Sequence, residues 1–150
     1  MADRADRYRD IDRTTGRLSR VCLYRLLQKE KLHPGQAPIL RLLMEKDGRS
    51  QCDLACETGV SRASLGVSLR RMEKAGLIVR CPDEKDCRYN MVFLTEEGRE
   101  KARRVEATLN RLAKAKLKGF TDEETALLLS FCERIRVNLA ELQEELDRQK

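Results

Sequence analysis

Residues 50–99 read SQCDLACETGVSRASLGVSLRRMEKAGLIVRCPDEKDCRYNMVFLTEEGR, and the order of signals inside this stretch decides the fold. Ser50 stands three residues before Asp53 at the head of a short helix through Leu54 and Ala55. A hydroxyl at that position accepts one of the unpaired N–H groups of the first turn. Gly59 supplies the left-handed residue that ends such a helix, and Ser61 is placed to cap the next. The second helix carries Leu65, Leu69 and Met72 on one face and Arg62, Ser64, Arg70 and Arg71 outside it, and it closes at Gly76. The period then changes. Leu77–Cys81 is short and β-branched, Tyr89–Leu94 alternates, and the polar run Pro82–Arg88 joins them, which predicts a β-hairpin with a charged tip. Two short helices on a tight glycine turn, followed by such a hairpin, have the anatomy of a helix-turn-helix with a wing.

Longer helices flank this core on both sides. From about Arg7 to Lys31, Tyr8, Ile11, Leu18 and Cys22 recur at helical spacing, and Leu32-His33-Pro34-Gly35 breaks the run. Pro34 suits the first turn of a new helix carrying Ile39, Leu40, Leu42 and Leu43. Beyond the hairpin, Thr95-Glu96-Glu97 caps a helix that continues through Ala102, Val105, Leu109 and Leu112 to Gly119. Thr121 and Glu124 form a capping-box pair ahead of Leu128, Phe131, Ile135, Leu139, Leu142 and Leu146. An apolar stripe of that length exceeds what one small domain covers and implies a partner helix.

Composition narrows the function classes. The chain has 150 residues, 41% hydrophobic and 37% charged, with a formal net charge of +6. That is one domain, too apolar for a disordered tail, and no run approaches the ~20 apolar residues of a bilayer span. The opening residues carry acids and no apolar segment, so no secretory signal is expected and the cytoplasm is the expected compartment. Aromatic residues are 4% and Trp is absent, which disfavours a dense sheet core and base-stacking platforms for single strands. Charge is asymmetric: residues 61–90 hold 7 basic against 4 acidic residues, whereas residues 121–150 hold 4 against 8. A basic middle facing an acidic end fits a domain with one side toward a polyanion, and equally a set of solvated helix faces.

Leu32-His33-Pro34-Gly35-Gln36, Gln51-Cys52-Asp53-Leu54-Ala55, Gly59-Val60-Ser61-Arg62 through Gly76-Leu77-Ile78-Val79-Arg80, and Asp86-Cys87-Arg88 leading to Val92–Arg99 resemble, in this order, the MarR (multiple-antibiotic-resistance regulator) family of winged helix-turn-helix transcription factors. The resemblance covers roughly residues 8–145. It implies a mainly α fold with a small β-wing: dimerisation helices at 1–31 and 120–150, a winged lobe at 34–94 and a connecting helix at 95–119. It also implies a homodimer on a near-palindromic double-stranded DNA operator, acting as a repressor and released by a small organic effector. By position, Arg62, Ala63, Ser64 and Val67 face base edges or the adjacent backbone. Arg70 and Arg71 either touch phosphate or solvate the helix, and a phosphate contact is expected of at least one. Asp86 orients Arg88 toward the minor groove, where a narrow groove concentrates negative potential. Val67 stands where many relatives have a polar base-reader, so its contact is apolar. Gly66 interrupts the recognition helix at a cost of about 1 kcal/mol relative to Ala.

No phosphate loop, nucleophile–His pair or paired-carboxylate signature stands out, and there is one His, so no enzyme and no cofactor are expected. The best catalytic rival is a thiol oxidoreductase, and a third class is a winged-helix adaptor that contacts proteins. Among the six cysteines, Cys52 and Cys56 lie one helical turn apart and share a face, a spacing that suits a thiol- or metal-responsive switch. Two thiolates make half a zinc site, and ordinary small side chains are the majority reading for all six. No effector-binding residue is identifiable from the sequence.

Overall fold

The computed structural model describes residues 3–86 and 90–149 and runs α1 (Arg4–Lys29), α2 (Ala37–Glu45), β1 (Arg49–Ser50), α3 (Gln51–Thr58), α4 (Arg62–Lys74), β2 (Ile78–Pro82), β3 (Asn90–Leu94), α5 (Glu96–Lys116) and α6 (Asp122–Arg148). The expected caps are made. The Ser50 hydroxyl accepts the Asp53 N–H at 3.0 Å and the Ser61 hydroxyl accepts that of Ser64 at 3.1 Å. Between α3 and α4, Gly59 takes φ 68°, a left-handed value that a side chain resists, and this sets the tight turn between the two helices.

The chain divides into two compact units, Met1–Leu112 and Ala113–Lys150. In the first, Leu40 and Leu43 of α2, Leu54 of α3, Leu65, Leu69 and Met72 of α4, Ile78 and Val92 of the strands and Val105 of α5 are fully buried in one core. Burial of each such side chain contributes about 1.5–3 kcal/mol. The sheet is antiparallel in the order β1-β3-β2, with Ile78 opposite Leu94 and Arg80 opposite Val92. Strand β1 was not legible in the sequence: two residues, Arg49 and Ser50, pair with Val92 and Met91.

Two local expectations are corrected. Pro34 lies in the turn ahead of α2, and the proline in the first turn of that helix is Pro38. The first helix starts at Arg4 and stops at Lys29, before Lys31. Its end is a Schellman arrangement, in which the Leu32 N–H reaches the Leu27 carbonyl at 2.8 Å and the Lys31 N–H reaches that of Gln28 at 3.0 Å. Lys31 occupies the left-handed position usually given to glycine, at φ 55°, and Leu32 packs into the core beside Leu27.

In the second unit, α6 opens on the full capping box, with Thr121 and Glu124 bonded to each other's backbone N–H. None of its residues is buried. Leu139 is 60% exposed, Phe131, Leu142 and Leu146 are about half exposed, and only Leu128 at the start of the stripe is partly buried, so most of the stripe is open among the described residues.

Candidate nucleic-acid interface

Helix α4 buries Leu65, Leu69 and Met72, and at about 100° per residue the direction opposite to them is occupied by Ala63, Val67 and Lys74. Arg70 and Arg71 flank that line, and Arg62 and Ser64 open the helix at its first turn. All of these side chains are exposed, and Arg62, Arg70, Arg71 and Lys74 make no ion pair among the described residues. The structure therefore brings together on α4 all six residues singled out there by the sequence. It adds Lys74, whose signal was its spacing, four residues after Arg70 and seven after Val67. Gly66 faces open space apart from Arg70, since a Cβ there would meet only the Arg70 guanidinium at 3.6 Å.

The wing is braced against the helix. Arg80 on β2 donates through Nε to Glu73 Oε2 at 3.1 Å, and its Nη2 reaches the same oxygen. This hydrogen bond, reinforced by the guanidinium charge, holds the Glu73 carboxyl below its ordinary pKa. On the other side, Asp47 accepts the Leu94 N–H at 2.9 Å and pairs with Arg99, tying the turn after α2 to β3 and α5. Asp86 sits beside the hairpin tip, while its expected partner Arg88 lies outside the described residues, as does Cys87.

A cavity of about 540 Å³ lies between α1, α2 and α5. Leu23, Tyr24, Leu27 and Leu109, with the prolines at either end of the turn into α2, are part of its apolar surface, and Arg20 and Arg41 bring two guanidinium groups to it. None of these residues is identifiable as a cavity residue from the sequence, because the three helices meet only in the folded chain.

Residues 31–88, from the turn ahead of α2 to the wing tip, match the pattern of the MarR family. The HTH-type transcriptional regulator YdgJ of Bacillus subtilis (strain 168) is 31% identical over 101 residues. The chain belongs to the MarR family. That alignment takes in 67% of this chain and 62% of the Bacillus protein, so the chain spans somewhat under two thirds of this relative's length. Among solved structures, MarR itself superposes with a TM-score of 0.79 at 24% identity, over 97% of this chain and 99% of that one. The transcriptional repressor CouR, bound to a 23-mer DNA duplex, superposes with a TM-score of 0.71 at 25% identity, over 85% and 89%. These MarR-family matches are transcriptional regulators rather than enzymes.

Within this MarR-family frame the cysteines are dispersed. Cys52 is half-buried and Cys56 exposed on α3, while Cys22, Cys81 and Cys132 are exposed on three other elements, all as free thiols. Among the described residues no group of three or more His, Cys, Asp or Glu side chains is placed to hold a metal ion. His33 serves local structure: its Nδ1 accepts the Gly35 N–H at 3.1 Å.

Proposed function

We propose that this MarR-family chain is a homodimeric, sequence-specific double-stranded DNA-binding transcriptional regulator, a repressor released from its operator by a small anionic effector. The observation that carries the reading is the outward face of α4, where Arg62, Arg70, Arg71 and Lys74 are exposed around Ala63 and Val67, without a carboxylate partner among the described residues. A helix of this width enters the major groove; guanidinium and ammonium groups on its flanks meet phosphate, and small side chains on its crest approach base edges. Val67 in that position offers a thymine methyl an apolar contact. Asp86 and Arg88 at the hairpin tip are assigned to the minor groove.

The uncovered stripe of α6 supports a second copy as the partner, because an apolar face of that length is stable in water only when paired. Two lobes held in one dimer engage two half-sites together, and an effector that alters their separation forfeits the gain of joint binding. The cavity beside Arg20 and Arg41 suits an apolar molecule bearing a carboxylate, since its walls are mostly apolar, Tyr24 among them, and its charge is positive. A regulator of this kind works in the cytoplasm, needs no cofactor, and has no use for a membrane; no described helix is long and apolar enough to cross one. The thiol- or metal-responsive reading at Cys52 and Cys56 is weaker, because two donors one turn apart leave a metal site half built.

The experiment is selection of bound fragments from the source genome with the purified protein, followed by anisotropy titration on the recovered duplex. Arg88→Ala and Arg62→Ala are expected to weaken operator binding at unchanged oligomeric state, with Arg62→Ala also relaxing discrimination between sequences. Recovery of no preferred sequence, or equal affinity of wild type and both variants, counts against the reading.

A further inference from the structure

An unbroken row of alternating charges runs from the cavity wall to the first helix of the helix-turn-helix. Arg41, on the cavity-lining face of α2, pairs through Nη1 with Glu45 Oε1 one turn on. The other oxygen of Glu45 lies 3.7 Å from Arg49 Nη2, and Arg49 Nη1 pairs with Glu57 on α3. Arg49 is the fixed member. Its side chain is only 13% exposed, and its Nε donates to the Leu42 and Lys46 carbonyls at 3.1 and 3.2 Å, where α2 ends. Its guanidinium therefore closes the C-terminus of α2, sits at the start of β1 and holds α3 by one carboxylate.

Glu45 is shared unequally. It sits closer to Arg41 than to Arg49, so its charge is committed mainly to the cavity wall. A carboxylate entering the cavity offers Arg41 a second anion in a less hydrated place. As Arg41 turns to it, Glu45 is left with one cation, Arg49, already within 3.7 Å. Arg49 meets the two carboxylates on separate nitrogens, Glu45 through Nη2 and Glu57 through Nη1, so a Glu45 released toward it draws the guanidinium its way and weakens the tie to α3. Helix α3 packs against α4 and carries the turn that sets its position, so a looser α3 reaches the DNA-reading face.

Resting on the reading of the cavity as an effector site, we propose that Glu45 is the positioning residue that transmits occupancy: an anion bound at Arg41 frees Glu45 to compete with Glu57 for Arg49, loosening α3 and lowering DNA affinity. The pairs are partly exposed, so the transmitted effect is modest, about two- to fivefold in DNA affinity at low salt. It shrinks toward onefold at about 0.5 M salt, because exposed charges are screened.

The probe is benzoate, an apolar carboxylate, with full-length protein. Binding is followed by calorimetry without DNA, and DNA affinity by anisotropy with and without saturating benzoate. Glu45→Gln is expected to bind benzoate within about twofold of wild type and to bind DNA within about twofold in its absence, while losing the benzoate-induced fall. A Glu45→Gln protein that responds as wild type does overturns the proposal. A wild type that fails to bind benzoate counts against the effector reading alone, and the coupling is then decided without ligand or DNA. Arg41→Gln removes the same contact that an anion would take. It is expected to speed amide exchange in Gln51–Thr58 about two- to fivefold when Glu45 is present, and not in the Glu45→Gln background. Equal effects of Arg41→Gln in both backgrounds overturn the proposal whatever benzoate does.

Discussion

Gly98 is the position at which one methyl group tests the packing of the whole lobe. It lies buried in the first turn of α5, and a Cβ built there would stand 1.9 Å from the Leu77 carbonyl oxygen, 2.9 Å from its carbon and 3.2 Å from Leu94 Cδ2. An ordinary carbon–oxygen contact is about 3.3 Å or more, so α5 or the backbone entering β2 must shift by over an ångström. That backbone is anchored. The Leu77 carbonyl accepts the Thr95 N–H at 3.0 Å, the Thr95 hydroxyl donates to the Gly76 carbonyl at 2.6 Å, and the same hydroxyl accepts the Gly98 N–H at 3.0 Å. Overpacking of this kind costs about 1–3 kcal/mol, and each weakened hydrogen bond adds about 1 kcal/mol. The better helix propensity of Ala returns about 1 kcal/mol. Gly98→Ala is thus expected to destabilise by about 2–4 kcal/mol and lower the Tm by about 5–15 °C. The assay is thermal unfolding by circular dichroism at one fixed protomer concentration, because association makes the Tm concentration-dependent. Gly66→Ala is the matched control: it meets only the tip of Arg70 at 3.6 Å and is expected to raise the Tm by a few degrees. A Gly98→Ala protein that melts with or above wild type refutes the packing argument.

Arg71→Ala and Lys74→Ala should each reduce the slope of log affinity against log salt by about 1, with similar losses on all DNA sequences; an unchanged slope removes that residue from the phosphate contacts. Leu139→Arg places a charge in the exposed α6 stripe and should yield monomer or aggregate, and sedimentation of the wild type as a monomer at micromolar concentration removes the dimer. The Arg80 hydrogen bond holds the Glu73 carboxyl below its ordinary value of 4.5, so the folded chain takes up that proton less readily than the unfolded one. Its contribution is present above pH 4.5 and lost as the pH falls through the depressed value, so wild type should lose Tm more steeply on acidification below about pH 5 than Glu73→Gln. Parallel curves for the two proteins contradict the strut between α4 and β2.

The helix ends were legible because a cap is a local event. Ser50, Gly59, Ser61, Thr95 and Thr121 each act on backbone groups within a few residues, and the three-dimensional structure has them in the roles their spacing suggests. The same holds for the buried faces of α2 and α4, where a 3.6-residue period separates inside from outside whatever the partner. From those elements the winged order followed, and with it the outward residues of α4. Pro34 misled because two prolines four residues apart both suit a helix start, and the turn through His33, with Gln36 and Ala37 bonded to its carbonyl, places Pro38 inside.

What remained hidden joins residues far apart in the chain. Strand β1 is too short to show a period of its own and exists because β3, some forty residues on, offers it a ladder. Gly98 looks like a defect in a helix until Leu77 is laid against it. Arg20 and Arg41 become cavity residues only where α1, α2 and α5 converge, and Glu45 joins Arg41 to Arg49 only because α2 ends against β1. Sequence by itself determined the elements, their caps and their apolar faces, since these depend on chemistry within one or two turns. Tertiary structure alone decided the cavity, the charge row and the close approaches, since each is a distance between segments that the chain's local chemistry leaves free.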